Sequence, residues 1–327
     1  MSDTASDKPG DTRIPRRADI AFAEQCDRGK VREENQDSVR HVGMPLGELM
    51  IVADGIGGYQ GGAVASRLVV EGFCSYLAGL PADYPPDRAI EEASATANAE
   101  VYATAKAPDS PYHRMGSTVV LALLRQTPES QGGAESETEV HAWIGHIGDS
   151  RAYLMREGRL SRITTDHSAV QSLLNRNLIT PEEARHHPDA SVLTRSLGHQ
   201  AEVEIDIEKV ELTSGDTLLL CSDGLWGYVE EQQIASVLAS VVADPALTAQ
   251  AASQALLDLA LDVGGQDNIG IELARLSLLS PTTAPPVRRR PRLLQILAVF
   301  LLVFAGMGAL VALGLRHNWL HALRHLR

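Results

Sequence analysis

Val140-His-Ala-Trp-Ile-Gly-His-Ile147-Gly148-Asp149-Ser150-Arg151-Ala-Tyr-Leu-Met-Arg156-Glu157-Gly158-Arg-Leu-Ser-Arg162-Ile163 mixes apolar and polar side chains along segments broken by two short turn signals. Such segments half-bury as strands, and a three-residue break permits a tight reversal. The stretch reads as a meander of three strands, separated by Gly148-Asp149-Ser150 and by Arg156-Glu157-Gly158, which implies antiparallel pairing. Leu49-Met-Ile-Val-Ala53, Ser117 to Leu124 and Thr217 to Cys221 are short apolar runs that read as buried strands. Helices are legible too. Ala65, Leu68, Val69, Phe73, Tyr76 and Leu77 share one face at helical spacing. Thr180-Pro181-Glu182-Glu183 is a capping box, and Asp244-Pro245 opens a helix that stops at Gly264-Gly265. The acidic stretch Glu129 to Glu139 reads as a solvated loop. The implied class is α+β, with antiparallel pairs dominating.

Two strand-like runs end alike: Met50-Ile-Val-Ala-Asp54-Gly55 and Leu218-Leu-Leu-Cys-Ser-Asp223-Gly224. A single Asp-Gly is ordinarily a turn. Asp37, Asp149 and Asp267 also border apolar runs, beside glycines or short polar residues, so five carboxylates lie at the margins of strands. Carboxylate oxygens are the hard ligands that Mg²⁺ and Mn²⁺ prefer, and glycine lets a backbone carbonyl approach an ion. No His-rich or Cys-rich cluster suggests zinc.

Charge and hydropathy divide the chain. Its 327 residues carry a net charge of −13, yet every formal charge after Ser280 is an arginine. Setting aside those seven arginines leaves −20 on the rest, a field that repels nucleic acid. Three widely spaced cysteines, Cys26, Cys74 and Cys221, argue for a reducing compartment and against a disulfide framework. Residues 1–18 read as a disordered polar lead without a signal peptide, and 19–279 as one catalytic unit. Residues 280–292 form a Pro/Arg-rich linker, 293–315 an apolar stretch long enough to cross a bilayer as a helix, and 316–327 a basic tail. The expected protein is single-pass in a membrane, with its catalytic domain in the cytoplasm.

Eight motifs then follow in order: Arg32-Glu-Glu-Asn35-Gln36-Asp37, Val52-Ala-Asp54-Gly55-Ile-Gly57-Gly58, Gly116-Ser117-Thr118, Ile147-Gly148-Asp149-Ser150-Arg151, Thr165-Asp166-His167-Ser168, Leu193-Thr-Arg195-Ser-Leu-Gly198, Ser222-Asp223-Gly224-Leu-Trp226 and Gly265-Gln-Asp267-Asn268. Over Ile20 to Arg275 the chain thereby resembles the bacterial branch of the PP2C (PPM) family of metal-dependent protein serine/threonine phosphatases. The resemblance implies a four-layer αββα sandwich, two antiparallel sheets flanked by helices. It also implies two Mn²⁺ or Mg²⁺ ions and a third, weaker one. Asp54 would bridge the first two, with the Gly55 carbonyl on one and Asp223 and Asp267 on the other. Asp37 would hold a metal-bound water, Asp149 with Asp223 would hold the third ion, and Arg32 would pair with the substrate phosphate. A metal-bridging water would hydrolyse phosphoserine and phosphothreonine on proteins, opposing a Ser/Thr kinase at the membrane. The segment from Val170 to Ala190 matches the mobile flap of bacterial members.

The chain departs from the family pattern at three places. Ile56 stands where many eukaryotic relatives carry a histidine, a candidate leaving-group acid; Gln36 replaces an acidic residue; and Gly270 replaces a frequent threonine. Two other functions compete. Cys26-Asp-Arg-Gly29-Lys-Val-Arg32 fits the Cys-x-x-Gly-x-x-Arg loop of cysteine-dependent phosphatases. Against it, Asp27 and Glu33 place negative charge where phosphate would bind. A non-catalytic phosphoprotein-binding module would be expected to have lost a metal aspartate, and none is missing.

Overall fold

The computed structural model describes residues 18–57, 61–127, 139–185, 187–243 and 248–278. Its strands are β1 (Ala18–Asp27), β2 (Asp37–Met44), β3 (Gly47–Ile56), β4 (Gly116–Ser117), β5 (Val119–Thr127), β6 (Glu139–Ile147), β7 (Arg151–Arg156), β8 (Arg159–Arg162), β9 (Asp206–Leu212), β10 (Thr217–Cys221) and β11 (Ile269–Leu278). Its helices are α1 (Gly61–Ala78), α2 (Pro86–Lys106), α3 (Ala169–Asn175), α4 (Pro181–Arg185), α5 (Asp223–Trp226), α6 (Glu231–Ala243) and α7 (Ala249–Asp262).

One sheet runs β1-β11-β10-β7-β8 and the other β2-β3-β5-β6-β9, and every pairing is antiparallel. Three apolar layers follow from the strands' alternation. Met50, Val52, Val120, Leu218 and Leu220 fill the space between the sheets. Ile51, Ala53, Val119 and Leu121 turn the other way, onto α1 and α2. Leu219, Cys221, Ile271 and Leu273 do the same beneath α5, α6 and α7. The four-layer sandwich is therefore present. The face predicted for α1 is the buried one, with Ala65, Val69, Phe73 and Leu77 in its core.

The meander is half right. β7 and β8 form the expected hairpin across Glu157 and Gly158. β6 and β7, however, do not pair: β6 lies between β5 and β9, and β7 between β10 and β8. The chain changes sheets at Gly148-Asp149-Ser150, where Gly148 adopts φ +102°. Alternation reports that a segment is a strand but not which sheet it joins, so a crossover and a hairpin of equal length look the same in sequence.

The capping box forms. Thr180 N–H donates to Glu183 Oε2 (2.7 Å), and Glu183 N–H donates to Thr180 Oγ1 (3.2 Å), at the start of α4. The helix expected from Asp244-Pro245 instead begins at Ala249, with Thr248 Oγ1 accepting from Ala251 N–H (3.1 Å). It stops before Gly264 and Gly265 as anticipated. Most of the acidic stretch, the polar lead, the linker, the apolar stretch 293–315 and the basic tail lie outside the described residues. Among the described residues, no helix is long and apolar enough to cross a membrane.

Candidate metal centre

The five aspartates come from four strand margins and one turn, and meet at one end of the sandwich. β2 starts at Asp37, which lies opposite Asp54 near the end of β3. Asp223 opens α5 just after β10, Asp267 precedes β11, and Asp149 sits in the crossover turn. Asp54 lies in the inter-sheet row that Met50 and Val52 begin, so the carboxylates face the gap between the sheets.

Hydroxyls and amides hold this end together. Ser222 Oγ donates to Asp37 Oδ2 (2.6 Å) and accepts from Gly270 N–H (2.8 Å), joining the two sheets at the site. Thr118 Oγ1 accepts from Asp54 N–H (3.0 Å) and bonds Ser150 Oγ (2.7 Å), so the Asp54 strand and the Asp149 turn share one hydroxyl pair. Asn268 donates to the carbonyls of Arg28 and Glu34 (2.9 Å each) and accepts from Gln36 N–H (2.9 Å). It thus clamps the loop that carries Arg32. None of these positioning roles was assigned from sequence, although Thr118, Ser222 and Asn268 all stand inside the quoted motifs.

One departure, Gly270, acquires an explanation. A Cβ on Gly270 would lie 3.1 Å from Asp37 Oδ2 and 3.0 Å from Val52 Cγ1, so glycine leaves Asp37 its room. The Gln36 carbonyl accepts from Gly55 N–H (3.0 Å), and a Cβ on Gly55 would fall 2.0 Å from the Gly62 carbonyl. Only glycine lets the chain pass this close to the start of α1.

The electrostatics are those of crowded anions. Burial, then the charges of Asp223, Asp37, Asp149 and Asp267, raise the Asp54 carboxyl well above the ordinary range. Burial, then Asp149, Asp267 and Asp37, do the same to Asp223. Burial also raises Asp37 against the pull of the Ser222 hydrogen bond, and raises Asp149 beside Asp166. Asp37 Oδ1 is buried with no hydrogen-bond partner. A hard divalent cation meets all three needs: it supplies a partner for the orphan oxygen, offsets the repulsion and prefers oxygen donors. The donor set fits Mg²⁺ or Mn²⁺.

Arg32 lies at the rim, half-exposed, with its guanidinium on Asp267 Oδ2. Arg151 sits deeper, bidentate to Asp166 (2.9 and 2.7 Å) and stacked 3.4 Å over the Trp226 ring. A second cluster, His146, His167 and Asp206, brings three ligand-type atoms within 4.8 Å of one another, whereas no three of the five aspartates among the described residues converge so tightly. Three of its four ring nitrogens are already engaged: His167 Nδ1 accepts from Gly148 N–H (3.1 Å), His167 Nε2 faces Asp206 (3.1 Å) and His146 Nε2 faces the Thr165 carbonyl (2.9 Å). The two rings stack at 19°, so their in-plane lone pairs do not point at a common ion. The cluster is a strap that ties the Gly148 turn to β9.

Cys26 fails as a nucleophile. Although the residue reaches the surface, desolvation of its sulfur and then the Asp37 charge push the thiol up to about 11. Gly29 N–H, which would cradle a phosphate in that chemistry, donates instead to Asp27 Oδ1 (2.7 Å).

Comparison with known proteins gives the same assignment. The family described as Protein phosphatase 2C matches residues 28–259. The chain belongs to this family. It is 36% identical over 262 residues to the serine/threonine protein phosphatase PstP of Mycobacterium tuberculosis, covering 78% of this chain and 45% of the relative. The chain thus spans less than half the length of that protein. With the serine/threonine phosphatase stp of Listeria monocytogenes it shares 32% identity over 262 residues, covering 78% of this chain and 95% of the relative. Among solved structures, the catalytic domain of PstP in complex with 2 manganese ions superposes with a TM-score of 0.65 at 32% identity, covering 80% of this chain and 100% of that one.

Proposed function

We propose that this chain is a protein phosphatase that hydrolyses phosphoserine and phosphothreonine with divalent cations held by Asp37, Asp54, the Gly55 carbonyl, Asp149, Asp223 and Asp267. The convergence of these carboxylates, with an orphan oxygen on Asp37 and an arginine at the rim, carries the reading. Bound there, Mn²⁺ or Mg²⁺ would supply an activated water and neutralise the phosphoryl oxygens. The chain's own groups do the rest. Arg32 pairs with the substrate phosphate, and Asn268 keeps its loop in place. Ser222 and Thr118 hold Asp37 and Asp54 at a set separation, so the acceptor geometry exists before substrate arrives.

Phosphorylated proteins are the substrates, and a Ser/Thr kinase is the natural counterpart. Full-length protein should release p-nitrophenol from p-nitrophenyl phosphate with Mn²⁺. EDTA should abolish the activity and Mn²⁺ in excess should restore it. Equal turnover in EDTA would overturn the reading, and no turnover with either metal would favour a binding module without chemistry.

The apolar stretch 293–315, flanked by arginines, supports a membrane helix, and phosphoprotein substrates favour a catalytic unit on the cytoplasmic side. The protein should then sediment with membranes through carbonate and high salt and be released by detergent. Release by carbonate alone would remove the anchor.

A further inference from the structure

A serine or threonine alkoxide is a poor leaving group, and its oxygen needs a proton as the bond to phosphorus breaks. Arg32 is too weak an acid to give one, and Ile56 has none to give. We propose that His199 is the general acid that protonates the leaving oxygen. The proposal rests on the phosphatase reading above.

β3 and β4 pair Ile56 with Gly116 and Gly55 with Ser117. The same register continues into β5, where Val52 pairs with Val120. Directly opposed residues on antiparallel strands present their side chains on the same face. Val52 and Val120 both face the gap between the sheets. Counting by twos, Asp54 and Ile56 on β3, and Gly116 on β4, belong to that same face. The independent contacts agree: a Cβ on Gly55 would strike α1, on the opposite side.

Gly116 has no side chain, and the imidazole of His199 occupies the room it leaves. A Cβ there would lie 2.8 Å from His199 Cε1 and 3.0 Å from Nδ1. The ring therefore lies over Gly116, on the face that carries Asp54 and Ile56. Any larger residue at 116 would expel it.

The backbone that delivers the ring is fixed. Leu197 and Ser117 exchange two hydrogen bonds (2.9 and 3.1 Å), and Gly198 N–H donates to Asn98 Oδ1 (2.8 Å). Ser196 Oγ is hydrogen-bonded to His199 Nδ1, which leaves Nε2 as the nitrogen available to a ligand. The residue is exposed, so solvent can return a proton after each turnover.

In the step, the oxygen of water forms the new bond to phosphorus while the bond to serine Oγ breaks. Oγ leaves with the bonding pair and takes the Nε2 proton of His199. The proton shed by the attacking water passes to solvent, and the imidazole regains one from solvent. The products are the free hydroxyl and inorganic phosphate.

Leaving-group dependence tests this. p-Nitrophenolate departs as a stable anion and needs little help, whereas a serine alkoxide needs the acid. In full-length protein with Mn²⁺, His199→Gln should lower kcat on a phosphoserine peptide by about a hundredfold, and on p-nitrophenyl phosphate by less than about fivefold. Calorimetric affinity for a non-hydrolysable phosphonate peptide should stay within about threefold, because the proton moves only as the bond breaks. Equal losses on both esters, or an undiminished kcat on the peptide, would overturn the assignment of His199 while leaving the metal-dependent activity in place. A wild-type protein inert toward both esters would overturn the reading beneath it.

Discussion

Asp54→Asn and Asp223→Asn, made singly, are expected to lower kcat by about a thousandfold or more, yet to raise the unfolding temperature of the protein in EDTA. The two effects share one cause. Each aspartate is half-buried among other carboxylates, and desolvation followed by their mutual repulsion raises its pKa well above the ordinary value. A carboxyl whose pKa is raised by folding stabilises the fold only while it is protonated, and that contribution is lost as pH rises through the folded-state value. At neutral pH without metal, the site therefore costs stability, and an isosteric amide relieves part of that cost. A relief of about 1 kcal/mol corresponds to roughly 2–4 °C in a domain of this size. Catalysis moves the other way, because the amide removes an anionic cation ligand. Mn²⁺ should raise the unfolding temperature of wild-type protein well above that of either variant, since a ligand stabilises in proportion to its affinity for the folded state. Calorimetric scans in EDTA and in Mn²⁺, beside steady-state rates, check both halves. Near-wild-type kcat in either variant would remove the residue from the cation site. A lower unfolding temperature in EDTA would show that the carboxylates support the fold rather than strain it.

What the sequence revealed and what it hid divide along physical lines. A buried strand such as Thr217–Cys221 was legible because four of its five wholly buried residues, Leu218 to Cys221, are apolar. The aspartates were legible because a charge at the margin of such a run is costly and asks for a reason. The sheet to which β7 belongs was not legible, because Gly148-Asp149-Ser150 reads identically as a hairpin and as a crossover. The helix α6 is not legible either, because Glu231–Ala243 carries no distinctive cap in sequence. His199 was invisible for another reason. It lies 143 positions beyond Ile56 and 83 beyond Gly116, and only the β3–β4 register brings the three together. Motifs report what is local in the chain, whereas this neighbourhood is long-range.

Glu272→Gln is expected to stabilise the protein at pH 8 by on the order of 2 kcal/mol, with the gain shrinking as pH falls toward 5. In β11, Ile271 and Leu273 face the helices, so Glu272 between them points into the gap between the sheets. It is fully buried, and both carboxyl oxygens lack a hydrogen-bond partner. Its register neighbour on β1 is Glu24. Burial first, and the Glu24 charge second, push the Glu272 carboxyl up to about 9. The sign follows from proton counting. Between the ordinary glutamate value and about 9, the folded protein keeps a proton that the unfolded chain releases, so stability falls as pH rises across that window. Below the window both states are protonated and the penalty vanishes. Glutamine never charges, so it escapes the penalty at pH 8 but brings an amide with unmet hydrogen bonds, a cost of about 1–3 kcal/mol at every pH. The balance favours the variant only where the penalty is large. Urea unfolding of both proteins in EDTA at pH 5, 6.5 and 8 isolates the effect, because the aspartate cluster is common to both and cancels in the difference. A difference that stays constant across the three values would mean that Glu272 holds no proton in the folded state.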